Sequence, residues 1–223
     1  MNPRRGWVIG GVVAVLAVAA LIAVAASGGG SDSGGGTSAA KHETGSVQVE
    51  GTPLPAFQGV DAADKAVGLA APTLIGEGFD GQKVTISGTG KPQVVMFLAH
   101  WCPHCQAEVP RIVTLAKAGA FDGLDVSSVA TGTSSQYPNY PPSAWLAREQ
   151  WPFDVMVDSP QGTAASAYGL PSYPFFVFLD GNGTVIGRAT GEIAPSDLQQ
   201  VLDAMRAGTA LPSVVSQASS AAR

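Results

Sequence analysis

The sequence predicts an α/β fold with a central mixed sheet flanked by helices, together with an N-terminal transmembrane helix. Apolar strand-like segments alternate with helical segments from residue 92 onward, a pattern typical of a parallel sheet covered by helices. The alternation ends in a strand hairpin and a helix, which adds an antiparallel pair and makes the sheet mixed. Twenty residues without a charged side chain, 7–26, precede the domain.

Local signals place each element of the domain. Pro92 and the unalternated apolar residues 94–98 predict a central strand that is covered on both faces. The turns Asp80-Gly81 and Asp180-Gly181-Asn182-Gly183 predict two hairpins. The remaining predicted strands are at 47–49, 72–75, 83–87, 124–131, 153–158, 175–179 and 184–187. One helix is predicted to begin at Cys102 and end at Gly119, with a kink or an interruption at Pro110. Further helices are predicted at 144–149, 162–168 and 195–206.

Residues 7–26 match the hydrocarbon thickness of a bilayer, and Arg4 and Arg5 before them should remain cytoplasmic. We therefore expect a single-pass membrane anchor over residues 1–26, with the rest of the chain outside the cytoplasm. A cleaved signal peptide is the alternative, because Ala23-Val24-Ala25 offers a small-x-small cleavage site, although the apolar core is longer than in most signals. Both interpretations export the domain, and cleavage would make it a secreted protein.

Three further segments follow the anchor. Residues 27–38 are almost entirely Gly and Ser, cannot bury apolar surface, and begin a flexible tether and lead-in that is predicted to extend over 27–52. The folded domain is expected over 53–207. Residues 208–223 are mostly small and polar and are predicted to form a disordered tail.

The exported part of the chain is acidic. The whole chain has 12 basic and 17 acidic residues, so leaving out Arg4 and Arg5 sets ten basic residues against 17 acidic ones, a net charge of −7. The basic residues form no cluster in the sequence. This composition argues against nucleic acid or anionic lipid headgroups as partners.

The two cysteines of the chain, Cys102 and Cys105, stand where the central strand passes into a helix. A C-x-x-C at this place is the sequence form of a thioredoxin-like redox site. The N–H groups and partial positive charge of a helix N-terminus stabilise a thiolate on the first cysteine. The second cysteine, one turn on, can attack a mixed disulfide at the first, so we expect Cys102 to be the nucleophile and Cys105 the resolving thiol. A structural disulfide is the alternative, but it would close a very short loop and add little stability.

Four motifs extend this pattern in chain order. They are Val95-Met96-Phe97-Leu98-Ala99-His100-Trp101-Cys102-Pro103-His104-Cys105, Gln106-Ala107-Glu108-Val109-Pro110, Tyr168-Gly169-Leu170-Pro171-Ser172-Tyr173-Pro174 before an aromatic strand, and the hairpin Phe79-Asp80-Gly81-Gln82-Lys83-Val84. Together they make residues 53–206 resemble the thioredoxin superfamily, and within it the membrane-anchored TlpA/ResA-like thiol-disulfide oxidoreductases. The resemblance implies a thioredoxin-like sandwich that exchanges with protein thiols and disulfides, uses no cofactor beyond a redox-active Cys102–Cys105 disulfide, and has a membrane or extracytoplasmic redox partner.

Two positions depart from the family pattern. Thioredoxin has a buried Asp six residues before its first cysteine, and Met96 occupies that position here. Another group must then exchange the proton of Cys105, and Glu108 is the nearest candidate, with simple solvation of Glu108 as the alternative. The bulky Tyr173 precedes Pro174, which the resemblance implies is the superfamily's cis-proline, and it should change the shape of the substrate groove.

His104 is the candidate for tuning the thiols. A protonated His104 would favour the Cys102 thiolate, stabilise the reduced form and make the disulfide more oxidising; a solvated loop histidine is the alternative. Pro103-His104 resembles the dipeptide of the oxidant DsbA, at about −120 mV against about −270 mV for thioredoxin. The C-x-x-E-x-P continuation instead resembles reductants, so the sequence leaves the direction of electron flow open.

Substrate contacts are expected around the thiols. The resemblance implies that Pro174 presents its preceding backbone to an added substrate strand, while Trp101 both lies over the thiols and packs. Three other aromatic residues are interpreted as packing or loop residues: Tyr137, Tyr140 and Trp145. The predicted substrate-binding residues are Trp101, Pro103, Tyr173 and Pro174.

Metal binding is an alternative function from another class. His100, Cys102, His104 and Cys105 could supply ligands for copper or zinc, and a metal-delivery protein would use them in that way. The single C-x-x-C and the place of His100 on the strand side make a closed four-ligand site awkward. A redox-inert domain that only binds a partner is a further alternative.

Overall fold

A computed structural model describes residues 41–59 and 63–215. The predicted anchor over residues 1–26 and the Gly/Ser tether that follows it lie outside the described residues. Within the described ranges, no helix is both long enough and apolar enough to cross a bilayer.

The described ranges form strands and helices that alternate along the chain. In order these are β1 (Gln48–Glu50), β2 (Thr73–Glu77), β3 (Lys83–Ile86), β4 (Gln93–Leu98), α1 (Pro103–Lys117), β5 (Asp125–Ala130), α2 (Pro142–Arg148), β6 (Asp154–Val157), α3 (Thr163–Ala167), β7 (Phe175–Leu179), β8 (Val185–Thr190) and α4 (Pro195–Ala207). Every strand and helix that the sequence predicts within the described ranges is present, with bounds shifted by a few residues.

Five strands form the predicted mixed sheet, in the order β6-β5-β4-β7-β8. The pairs β4–β5 and β5–β6 are parallel, whereas β7 runs antiparallel to both β4 and β8. All six residues of β4 are buried. Val94 and Met96 pack with residues of α1 and α4, and Val95 and Phe97 pack with residues of α3 on the other face. The central strand is therefore covered on both sides, as its apolar sequence predicts.

The N-terminal hairpin belongs to a separate antiparallel sheet of order β1-β2-β3. Leu74 and Ile86 point their buried side chains into the same apolar cluster as Val95 and Phe97. The hairpin thus adds a layer beside the main sheet, because its apolar side chains need a covered face and the main sheet supplies one.

Helix α1 is continuous through Pro110, so of the two predicted effects, a kink or an interruption, the interruption does not occur. A proline inside a helix removes one backbone N–H bond, but the residues around it are held by burial. Val109, Ile112 and Val113 are all buried against the sheet and α2 or α4. The cysteine motif and Lys117 therefore belong to one helix.

The segment before residue 60 is packed on the domain, and its contacts begin before the predicted boundary at 53, with Glu43 and with β1, which pairs with β2. The N–H of Leu54 donates to the carbonyl of Ala167 at 2.8 Å, and the N–H of Phe57 donates to Gly169 at 2.9 Å. Both apolar side chains are buried. Glu43 accepts hydrogen bonds from the backbone N–H and hydroxyl of Ser143 at the start of α2.

A buried ion pair holds the next part of this segment. Arg188 of β8 pairs with Asp64, and both side chains are almost fully excluded from solvent. The Arg188 guanidinium also donates to the carbonyls of Pro55 and Tyr168, each at 2.9 Å. Charge and hydrogen bonds are thus satisfied together, as a buried arginine requires.

Residues 209–215 differ from the predicted disordered tail. Leu211 and Val215 are 6% and 2% exposed and belong to the apolar cluster that includes Leu202 and Met205 of α4. Two large apolar side chains in an otherwise small and polar segment are enough to hold it on the helix. The rest of the predicted tail, 216–223, lies outside the described residues.

Candidate active site

The two cysteines lie at the N-terminus of α1, as predicted. Cys102 is the N-cap residue in an extended conformation, and its carbonyl accepts the N–H of Gln106 at 3.0 Å. Its own N–H donates to Ala99 at 3.1 Å, which closes the turn between β4 and the helix. Pro103 follows at the first helical position, where its missing N–H leaves no bond unmade. The Cys102 sulfur is thereby placed at the positive end of the helix dipole.

The two thiols have different environments. Cys102 is 7% exposed, whereas Cys105 is fully buried, and both are free thiols. The N–H of Ala99 donates to the Cys105 sulfur at 3.4 Å. Burial raises the pKa of Cys105 far above its ordinary value; the Ala99 bond opposes this, and the nearby Cys102 and Glu108 add to it. Cys105 therefore keeps its proton at neutral pH until a base removes it.

The segment before β7 lies against the Cys102 sulfur. The peptide bond between Tyr173 and Pro174 is cis, as the resemblance implies. The thiol of Cys102 donates to the Tyr173 carbonyl across 3.6 Å. A second cis bond, between Tyr140 and Pro141, was not predicted.

Trp101 and Tyr173 form a wall beside the thiol. Their rings meet edge to face with centroids 5.7 Å apart, and the indole N–H of Trp101 donates to the carbonyl of Gly132 at 2.8 Å. The bulk of Tyr173 is accommodated because Gly132 has no side chain: a Cβ there would lie 2.9 Å from the phenol oxygen. Burial raises the pKa of Tyr173, so its hydroxyl stays protonated and neutral.

Tyr137 extends this wall, although the sequence suggested only a loop or packing role. Its ring lies 5.4 Å from that of Trp101, and the residue is 52% exposed. Tyr140 is also exposed, whereas Trp145 is buried and packs as interpreted. The sequence does contain a signal for Tyr137: the loops after the parallel strands β4 and β5 leave the same edge of the sheet.

Both ring nitrogens of His100 form hydrogen bonds with the loop that carries Tyr137. Its Nδ1 lies 2.7 Å from the carbonyl of Pro138, and its Nε2 accepts the N–H of Ser134 at 3.2 Å. The neutral tautomer with a proton on Nδ1 satisfies both bonds. Neither ring nitrogen has a lone pair left for a metal ion. Among the described residues, no group of three or more His, Cys, Asp or Glu side chains could hold one.

Glu108 lies beneath the cysteines in the interior. Its side chain is 1% exposed and accepts the N–H of Ile193 at 3.2 Å and an N–H of Arg111 at 3.4 Å. Burial raises the pKa of Glu108, while the two donors oppose the shift. The solvated alternative for this residue is wrong, and its carboxylate is close enough to Cys105 to raise the pKa of that thiol.

His104 contacts a residue that the sequence did not single out. Its Nδ1 lies 2.8 Å from Oε1 of Glu192, and the other oxygen of Glu192 accepts an N–H of Arg111 at 2.5 Å. Glu192 lies just past β8, and Gly191 before it donates its N–H to the carbonyl of Pro174. The hairpin register places Glu192 near Pro174, since strands that pair around residues 180–184 bring position 190 opposite 175, but it does not pair Glu192 with His104.

The chain is similar in sequence to a known family and to several known proteins. The sequence model of the Redoxin family matches residues 50–202. The soluble secreted antigen MPT53 of Mycobacterium tuberculosis is 29% identical over 146 residues, covering 61% of this chain and 74% of that protein. The thiol-disulfide oxidoreductase ResA of Geobacillus thermodenitrificans is 25% identical over 142 residues, covering 63% and 79%.

A solved structure shows the same fold. The crystal structure of a secreted Mycobacterium tuberculosis disulfide oxidoreductase homologous to E. coli DsbE superposes with a TM-score of 0.50 at 24% identity. The match covers 58% of this chain and 94% of that one. The family match spans the sheet, the cysteine motif and the start of α4. The chain therefore belongs to the Redoxin family and has a thioredoxin-like α/β fold.

Proposed function

We propose that this protein is an extracytoplasmic thiol-disulfide oxidoreductase that exchanges the Cys102–Cys105 dithiol or disulfide with protein substrates. One observation carries the proposal: Cys102, which is 7% exposed at a helix N-terminus, stands one turn from the fully buried Cys105, whose pKa is raised by burial. A structural bridge needs no such difference between its two sulfurs, whereas stepwise exchange does. The oxidoreductase names of the relatives support the same chemistry.

The first step uses Cys102 alone. In the reducing direction its thiolate attacks one sulfur of a substrate disulfide, the substrate S–S bond breaks, and a mixed disulfide forms. The other substrate sulfur leaves as a thiolate and takes a proton from water. The helix N-terminus stabilises the attacking thiolate before the step.

The second step uses Cys105. Glu108 is the proposed acceptor of its proton, after which the Cys105 thiolate attacks the Cys102 sulfur and expels the second substrate sulfur as a thiolate. The protein is left with a Cys102–Cys105 disulfide, and the substrate gains two electrons. The same steps in reverse oxidise a substrate dithiol, and the reduction potential decides which direction prevails.

The wall beside Cys102 is the proposed substrate surface. The rings of Tyr173 and of the exposed Tyr137 each contact that of Trp101, so the three offer a joined aromatic area. Pro103 and Pro174 flank the thiol from the helix and from the segment before β7. A polypeptide with apolar side chains near its cysteine fits such a surface.

Residues 7–26 are proposed to anchor the domain to the membrane, with the Gly/Ser segment as its tether. The apolar length and the two preceding arginines support this arrangement. The relative described as a soluble secreted antigen supports a location outside the cytoplasm. The redox partner would then be a membrane or extracytoplasmic protein.

Cysteine variants of the full chain test the proposal. Cys102→Ser should abolish thiol exchange, and a variant that exchanges at the wild-type rate would refute the function. Cys105→Ser should accumulate mixed disulfides, and mass spectrometry of those adducts identifies the substrates. Titration against glutathione gives the reduction potential: a value near about −270 mV indicates a reductase and one near about −120 mV an oxidant.

A further inference from the structure

A chain of charged side chains connects the buried side of the dithiol to the solvent. It runs from Glu108 through Arg111 and Glu192 to His104, with contacts of 3.4, 2.5 and 2.8 Å. Its two ends differ in exposure: the Glu108 side chain is 1% exposed, whereas the His104 side chain is 65% exposed. Three of the four residues lie on α1, and Glu192 alone comes from the loop before α4.

The loop holds the first turns of α1 at two points. Glu192 binds the side chains of His104 and Arg111, while the N–H of the next residue, Ile193, donates to Glu108. Gly191 is fixed to Pro174 by a backbone hydrogen bond. The hydrogen bond of Gly191 thus ties Glu192 to the Tyr173-Pro174 segment, which also contacts the Cys102 sulfur.

Charge makes this position consequential for the thiols. His104 lies between the two cysteines, where an imidazolium would stabilise a thiolate. Its described hydrogen-bond partner is the Glu192 carboxylate, which fixes the ring. Both Arg111 and His104 hold the pKa of Glu192 below its usual range, so the carboxylate stays ionised.

We propose that Glu192 is a positioning residue that holds the His104 ring away from the Cys102 sulfur and so sets the dithiol–disulfide equilibrium of Cys102 and Cys105. This inference rests on the proposed oxidoreductase function. Without the carboxylate, the Nδ1 of His104 loses its partner, and the ring is free to turn an N–H toward the Cys102 sulfur and stabilise its thiolate. The reduced form then gains stability, and the disulfide becomes more oxidising.

The isosteric substitution Glu192→Gln tests the inference in the full-length protein. Its equilibrium constant with glutathione should shift about three- to tenfold toward the dithiol form, which corresponds to about 15–30 mV. Glu149→Gln is the matched control, because it removes the same charge from an ion pair with Arg148 at the end of α2. The control should keep the wild-type constant.

A double-mutant cycle shows whether Glu192 acts through His104. In a His104→Ala background, the effect of Glu192→Gln should fall below about twofold, since the imidazole through which it acts is gone. An unchanged constant in Glu192→Gln, or an equal shift with and without His104, overturns the inference. Either result leaves exchange by Cys102 intact, whereas failure of the proposed function appears as wild-type protein without exchange.

Discussion

Replacing Glu108 by glutamine should slow the exchange reaction and stabilise the fold at the same time. The substitution keeps the size of a side chain that is 1% exposed but removes its charge. If Glu108 accepts the proton of Cys105, its loss should slow resolution of the mixed disulfide by about 10²-fold, the lower part of the range for general-base catalysis. Cys105 is fully buried and burial raises its pKa, so water cannot easily replace the base.

The pH dependence follows from the direction of the Glu108 shift. Burial raises the pKa of Glu108 above its ordinary value of 4.5. Its protonated form therefore contributes stability that is fully present below the unfolded-state pKa and is lost as pH rises through the folded-state pKa. Glutamine stays neutral, so at pH 7 the variant should be more stable, by on the order of 1 kcal/mol. Near pH 4 the difference should disappear.

Two measurements check both halves of this prediction. Stopped-flow fluorescence of Trp101, which lies beside the thiols, can follow single-turnover exchange between pH 5 and 9. The wild-type rate should rise through the raised pKa of Glu108, and the variant should lack that rise. Denaturant unfolding at pH 4 and pH 7 gives the free energies of unfolding. Wild-type rates in Glu108→Gln, with an unaltered pH profile, would refute the base assignment; Glu149→Gln is again the control.

The other predictions concern the core and the substrate wall. Asp64→Ala should lower the free energy of unfolding by about 3–5 kcal/mol, because buried Arg188 loses its counter-charge; denaturant unfolding that shows less than 1 kcal/mol would contradict this. Gly169→Ala should cost more than about 1 kcal/mol in the same assay, because φ is +71° and a Cβ would overlap a backbone carbonyl oxygen. Tyr137→Ala should lower kcat/KM about three- to tenfold for cysteine peptides with apolar neighbours and leave small disulfides unaffected, since its exposed ring extends Trp101; equal effects on both substrates would exclude a substrate role.

Local sequence patterns are sufficient to predict the strands and helices and the position of the two cysteines. The apolar run of β4 and the two hairpin turns are set by neighbouring residues, and the structure has them where the sequence predicts. The position of the C-x-x-C was also predictable from neighbouring residues, because a strand, a turn and a proline at the first helical position place it at a helix N-terminus. The cis bond before Pro174 followed from the family resemblance.

The surroundings of the thiols were decided by tertiary structure. Glu192 meets His104 across 88 residues, and Ser134 meets His100 across 34. No local pattern marks either pairing, and they exist only because the sheet brings the ends of its strands to one edge. The same packing engages both ring nitrogens of His100 in hydrogen bonds, so that neither can ligate a metal, and it places Tyr137 beside Trp101.

The sequence by itself thus predicted the α/β fold class and the place of the two cysteines at a helix N-terminus, because these depend on periodicity, turns and the spacing of two cysteines. Only the tertiary structure decided how unequal those sulfurs are and which charges act on them. Burial and electrostatic energy depend on every atom packed around a group, whatever its distance along the chain. That is why burial raises the pKa values of Cys105 and Glu108. It is also why Glu192 could be paired with His104 only from the packing of β8 beside α1.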